Sequence, residues 1–176
     1  MSRLNVIDPS TGGGPGADLL NGPLQNMQIN IFKGLATNAG VLKAFLAFSQ
    51  GVKAGSLTAA EHEIISLLAS QRRGCEYCLA AHTQLAKGAG IDEELALSIR
   101  QGGVENPRHQ ALIDFTGAVL DTGGDVSDEE LAAFRGAGYD DAAIIEALAE
   151  IAVISFTNMF NHLNHTEVDF PVAAAV

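Results

Sequence analysis

The sequence predicts an all-α fold. Apolar residues recur at spacings of three and four after Leu24, as in Ile64, Ile65, Leu67 and Leu68, and again in Leu112, Phe115, Val119 and Leu120. Helix starts are marked by capping boxes at Thr58/Glu61 and Ser127/Glu130. In each, the hydroxyl accepts an N–H three residues on and the carboxylate reaches back. Strand signals are missing: no apolar–polar alternation is sustained, and no Asn-Gly or Asp-Gly turn sits between β-branched runs.

Taken in order, residues 1–23 are expected to form a flexible N-terminal arm, because Gly, Pro and Ser dominate positions 8–23. Residues 24–176 are expected to form a single helical domain. Within it, helices are predicted over Gln25–Leu35 and Val41–Val52, with Gly51 and Gly55 at the exit of the second. The Thr58 box opens a helix that Gly74 breaks. The next begins near Cys75 and stops at Gly88-Ala89-Gly90. Asp92 caps Glu93–Arg100, Pro107 opens another helix, and Ser127 leads into Leu131–Phe134. The last and longest helix starts at Asp140 or Asp141 and runs to about His165. Ile144, Ile145, Leu148, Ile151, Val153, Ile154, Phe156 and Phe160 make it apolar on more than one face, as a central helix or one shared with another subunit is. Glu146 and Glu150 interrupt it, which argues against a bilayer-spanning segment.

Composition narrows the function. With 176 residues, 47% hydrophobic and 18% charged, the chain suits one globular domain with a substantial core. A net charge of −11 repels phosphate backbones, so neither nucleic acid nor an anionic membrane is an expected partner. The two cysteines lie three positions apart, a poor structural staple. A single close pair with no export signal at the N-terminus predicts a cytoplasmic protein with redox or metal chemistry.

The segment that carries chemistry is Gly74-Cys75-Glu76-Tyr77-Cys78-Leu79-Ala80-Ala81-His82. At about 100° per residue, Cys75, Cys78 and His82 fall within an arc of about 60° on a helix. Cys75 sits where unpaired N–H groups and the helix dipole favour a thiolate. His82, four residues after Cys78, is placed to take its proton, directly or through a water. The spacing lets one sulfur attack the other and close a disulfide. Two other readings stay open: an inert pair of core cysteines, and a zinc site with His82 as a third ligand. A closed zinc site wants four ligands, and only a distant His62 is available, so no metal and no cofactor are expected. Leu79 after the second cysteine speaks against c-type haem. Glu63, one turn from Leu67 at the edge of the apolar stripe, is either a proton relay or a solvated acid. His62, His109, His162 and His165 are expected to be surface groups or satisfied core groups.

Glu61-His62-Glu63, the twelve positions from Glu63 to Cys75, and Cys75-x-x-Cys78-x-x-x-His82 resemble the AhpD-like branch of the carboxymuconolactone decarboxylase family. Leu57-Thr58 before this pattern and Ala86-Lys87-Gly88-Ala89-Gly90 after it are also similar, and the resemblance extends over about residues 24–171. It implies an AhpD-like helical domain assembled as a homo-oligomer, trimer or hexamer. It also implies reduction of a small-molecule peroxide by a cysteine pair that an external thiol or dithiol re-reduces. On that basis Cys78 is expected to attack with His82 as its base, Cys75 to resolve, and Glu63 to orient or relay the proton, with the two cysteine roles exchangeable. The family's other branch implies a decarboxylase or other lyase as the rival activity, and a redox-sensing oligomer without turnover is a third reading. In the alkylhydroperoxidase a further relay histidine stands just before the second cysteine, where this sequence has Tyr77.

Overall fold

In the computed structural model, which describes residues 2–176, the chain forms α1 (Pro15–Asn21), α2 (Asn30–Leu35), α3 (Ala39–Val52), α4 (Ala59–Arg73), α5 (Glu76–Gly88), α6 (Glu93–Gln101), α7 (Pro107–Thr122), α8 (Asp128–Gly136) and α9 (Asp141–Asn164). A 3-10 turn covers Ala36–Asn38, and no strand occurs among the described residues. The all-α expectation holds.

The Thr58 capping box forms as predicted, with Glu61 N–H donating to Thr58 Oγ1 at 3.2 Å and Thr58 N–H to Glu61 Oε2 at 2.8 Å. α4 then passes through the middle of the fold, packed against α5, α6, α7 and α9, with every residue from Glu61 to Ser70 buried. Such burial obliges its polar side chains to find partners inside the protein. α4 ends at Gly74, whose left-handed backbone (φ 64°) suits glycine.

Two apolar clusters flank α4. The larger joins it to α6, α7, α8 and the first half of α9 through Ile65, Leu68, Ile99, Leu112 and Phe134. There Phe134 stacks between Phe115 and Tyr139, with ring centroids 4.1 and 4.2 Å apart. The smaller gathers Leu20, Ile31, Leu35 and Leu42 from the N-terminal helices around Ala69, Tyr77, Ile154 and both cysteines.

The flexible arm expected over residues 1–23 needs correction. Pro15–Asn21 is helical, Ala17 is buried, and Leu20 is buried in the smaller cluster. Upstream, Arg3 N–H donates to Asn164 O at 2.9 Å and Ile7 N–H to Lys33 O at 3.0 Å. The glycine-rich composition hides an apolar Ala17, Leu19, Leu20 group, and burying it outweighs the low helix propensity around it. The packed unit therefore begins before Leu24.

The helix predicted over Gln25–Leu35 forms only from Asn30. Before it the chain turns, with Gln28 Nε2 donating to Leu20 O at 3.0 Å. The C-terminal segment sets the start: Asp169 Oδ2 accepts Asn30 N–H at 2.7 Å, and Asn30 Nδ2 donates to Glu167 O at 3.0 Å.

α9 starts at its Asp140 cap and turns Ala147, Ile151 and Ile154 into the core. By length and composition, Asn30–Val52 and Asp141–Asn164 are apolar enough to cross a membrane. In the second, however, Glu146 and Glu150 are buried against α4, as in a core helix. The opposite stripe, Ile145, Leu148, Met159 and Leu163, is exposed.

Candidate active site

The turn between α4 and α5 places the cysteines. Gly74 ends α4, and Cys75 follows in extended conformation as the cap of α5. From there Cys75 Sγ accepts the Cys78 N–H at 3.3 Å, the position a serine or aspartate cap oxygen commonly fills. The helix thus begins one residue after Cys75, and capping brings its sulfur over the first turn. Cys75 and Cys78 are joined as a disulfide, Cα atoms 5.3 Å apart, and each residue is only 2% exposed.

Two further helices reach the pair. From α9, Asn161 Nδ2 donates to Cys78 Sγ at 3.3 Å. From α4, Glu63 Oε2 lies 2.7 Å from Nδ1 of His82, one turn beyond Cys78. Glu63 is buried and His82 partly so, and the carboxylate is the hydrogen-bond partner of the histidine, not a solvent-facing acid. With a carboxylate at Nδ1, His82 has its free nitrogen at Nε2.

Beneath the site lies a second acid–histidine group. His62 is buried between two acids of α9, with Nδ1 3.1 Å from Glu150 Oε2 and Nε2 3.2 Å from Glu146 Oε1, the latter off the line of a hydrogen bond. Glu150 Oε1 also accepts from Ser66 Oγ at 3.2 Å. Burial works to raise the Glu150 carboxyl, but the His62 hydrogen bond and charge outweigh it, aided by Lys53 and His82, and hold it below the usual carboxylate range. The field of His82 at Glu150 links the two groups. Glu146 caps the preceding turn, accepting Ser56 N–H at 2.6 Å and Leu57 N–H at 3.1 Å. It lies so close to Gly55 that any Cβ there would meet its carboxylate. Glu61 is occupied elsewhere, accepting from Thr58, from Arg108 Nε at 2.9 Å and from the Tyr139 hydroxyl at 2.7 Å.

Tyr77, in the place of the alkylhydroperoxidase's relay histidine, turns away from this chemistry. Its hydroxyl accepts the Ile31 N–H at 3.2 Å, and its ring meets Phe170 edge-on. Burial, then the neighbouring Asp169, push the phenol well above its ordinary range. It pins α2 and the C-terminal segment to α5.

Cys75, Cys78, His82 and Glu63 thus come together. His62 proves a core group, bonded through Nδ1 to Glu150 but with Nε2 buried and without a hydrogen-bond partner, and no group of three or more His, Cys, Asp or Glu residues placed to hold a metal occurs among the described residues. His162 and His165 share an open cleft with Cys75, and His162 Nε2–H donates to Arg73 O at 2.9 Å. Asn161, Glu146 and Glu150 have no site role in the sequence reading. The visible signal was two acids at i and i+4 in an otherwise apolar helix, a spacing that needs a buried hydrogen-bonding partner such as His62.

Residues 39–105, which span α3 to α6 and contain Glu63, both cysteines and His82, match the carboxymuconolactone decarboxylase family. No curated protein matches the chain. Among solved structures, an uncharacterized peroxidase-related protein with an alkylhydroperoxidase AhpD core from Ralstonia eutropha JMP134 superposes with TM-score 0.84 at 21% identity, covering 96% of this chain and 92% of that one. A peroxidase-related protein from Silicibacter sp. TM1040 gives 0.74 at 21% identity, covering 85% of this chain and 81% of its own. The debrominase Bmp8 gives 0.77 at 18% identity, covering 95% and 92%. At these identities the superpositions establish a shared AhpD-like fold.

Proposed function

From the Glu63–His82 pair set beside the Cys75–Cys78 disulfide, we infer that this chain is a thiol-dependent peroxidase or disulfide reductase. That juxtaposition carries the reading, because a buried carboxylate holding an imidazole one turn from a redox-active sulfur is what proton transfer at that sulfur requires. The family match and the AhpD-like fold support it, and the Bmp8 likeness marks the breadth of chemistry on this fold.

In the proposed cycle, Cys78 thiolate attacks one peroxide oxygen and the O–O bond breaks. The alkoxide leaves with a proton delivered through His82, giving Cys78 sulfenic acid and an alcohol. Cys75 thiolate attacks that sulfur, the hydroxide departs with the proton that the Cys75 thiol gave up, as water, and the disulfide closes. An external dithiol supplies the two electrons and two protons that restore the pair. Glu63 orients His82. We place the protein in the cytoplasm, as a homo-oligomer joined through the exposed α9 stripe.

The test is stopped-flow consumption of cumene hydroperoxide and hydrogen peroxide by reduced protein, with free thiols counted before and after. Loss of both thiols, faster than for an unperturbed thiol and abolished by Cys78→Ser, is the expected result. Full turnover in Cys78→Ser with loss in Cys75→Ser reverses the cysteine roles. Slow thiol loss without turnover points to a redox sensor. Lactone turnover that survives removal of both cysteines points to a lyase.

A further inference from the structure

The two sulfurs differ in what reaches them. An open cleft of about 410 Å³ lies where the end of α9 meets the start of α5, and Cys75, Glu76, Asn161, His162, His165 and Thr166 are among its lining residues. Cys75 borders this cleft and Cys78 does not. On the inner side, Asn161 Nδ2 donates to Cys78 Sγ at 3.3 Å. Asn161 is 5% exposed, and its Oδ1 is buried with no partner.

Electrostatics serve both sulfurs. Cys75 takes the Cys78 N–H at the start of α5, and Cys78 takes the Asn161 amide. Both residues are 2% exposed, and what separates them is that Cys75 lines the cleft while Cys78 lies behind it. A disulfide is cleaved by attack on the reachable sulfur, and the reaction is faster when the departing sulfur is stabilised as thiolate.

We propose that this cleft is the binding site of the reducing dithiol, and that Asn161 is a catalytic residue of the reductive half-reaction, receiving Cys78 as the leaving thiolate while the entering thiol bonds to Cys75. This rests on the redox reading of the pair. The entering thiol loses its proton to water at the open mouth. Its sulfur forms a bond to Cys75 Sγ, the Cys75–Cys78 bond breaks, and the electron pair departs on Cys78, held by Asn161 Nδ2–H. The dithiol's second sulfur, as thiolate, then attacks the mixed disulfide and closes the dithiol's own ring. Cys75 is released, and two protons taken from water leave both cysteines as thiols. The dithiol is oxidised by two electrons and the pair is reduced by two.

The experiment uses the oxidised full-length protein and no peroxide, so it reports whether or not the chain is a peroxidase. Oxidised wild type is treated with 2-mercaptoethanol, quenched in iodoacetamide at early times, and mapped by mass spectrometry. The expected product carries the mercaptoethanol adduct on Cys75 and the alkyl group on Cys78. The reverse arrangement overturns the proposal, as does the absence of any adduct while dithiothreitol reduces the pair. For Asn161, the rate of disulfide reduction by dithiothreitol is expected to fall about tenfold in Asn161→Ala, the scale of a lost hydrogen bond to a charged group. In a Cys75→Ser background, the ultraviolet absorbance of Cys78 thiolate is expected to appear at higher pH when Asn161 is also replaced. Unchanged reduction rate and unchanged thiolate titration in a folded Asn161→Ala protein refute the role of the amide, and Asn161→Gln supplies a second folded variant for both measurements.

Discussion

Glu63→Gln isolates the charge that holds His82. The exchange keeps the side-chain volume and one acceptor oxygen, so at 2.7 Å from Nδ1 the amide still accepts a hydrogen bond. What it loses is the difference between a bond to a charged group, about 1.5 to 3 kcal/mol, and a neutral one, about 0.5 to 1.5. That difference of about 1 to 1.5 kcal/mol slows the reaction only to the extent that the carboxylate matters more when the imidazole is cationic during proton transfer. At about 1.4 kcal/mol per decade, peroxide-driven thiol loss is expected to slow about five- to tenfold in Glu63→Gln. Glu63→Ala, which removes the whole bond and frees the ring to rotate, is expected to slow it about ten- to hundredfold. The measurement is the second-order rate constant with cumene hydroperoxide by stopped flow, set in a cycle with His82→Asn. If Glu63 acts through His82, the double variant is no slower than His82→Asn alone. A rate in Glu63→Ala within a factor of about two of wild type, or fully additive losses in the cycle, refutes the coupling.

Tyr77→Phe leaves the Ile31 N–H buried without an acceptor and is expected to cost about 1 to 3 kcal/mol in urea unfolding while the peroxide rate stays unchanged; a rate loss of tenfold or more would put the hydroxyl back into the relay. Glu150 predicts an acid limb. Its carboxyl is held below the ordinary value of 4.5, so its contribution is present above that pH and is lost as pH falls through the folded value. Glu150→Gln is expected to flatten the fall of Tm below about pH 4.5 and to cost about 3 kcal/mol near neutrality, where His62 loses its hydrogen-bonded anion; parallel wild-type and variant curves refute the assignment. Ile145→Lys and Met159→Lys place charges in the exposed α9 stripe and are expected to lower the mass measured by light scattering from an oligomer to a single chain; a wild type that is already monomeric at micromolar concentration refutes the interface.

Much of the fold was legible because its signals are local. Capping boxes are read within four residues, and both form where Thr58 and Ser127 place them. The two failures are non-local. Leu20 is buried only because Ile31, Leu35 and Leu42 fold back over it, and periodicity within a glycine-rich arm gives no sign of that. Asn30 starts α2 because Asp169, far along the chain, accepts its N–H, so the start of one helix is written in the tail. Neither contact has a spacing to recognise.

The site divides in the same way. Cys75, Cys78 and His82 belong to one turn-and-helix segment, and their relation follows from helical geometry. Glu63 needed α4 packed against α5, and its ambiguity between solvated acid and relay was a real one, because helical phase alone does not tell a buried edge from an exposed one. Asn161 and Glu150 lie on α9, at the far end of the sequence from the cysteines. Their presence in an apolar helix was nevertheless a signal with a physical meaning. A core helix that carries Glu146, Glu150, Asn158 and Asn161 on its buried side must satisfy each inside the protein. The partners actually found are His62 and Ser66 for Glu150, Ser70 for Asn158, and Cys78 for Asn161. Most sit on α4 and the last on α5. The polar face that made α9 look unsuited to a membrane is therefore the face that packs on α4 and, through Asn161, reaches Cys78. Removing its polarity in favour of leucine packing would keep the fold while taking away the only side chain among the described residues that donates to the Cys78 sulfur.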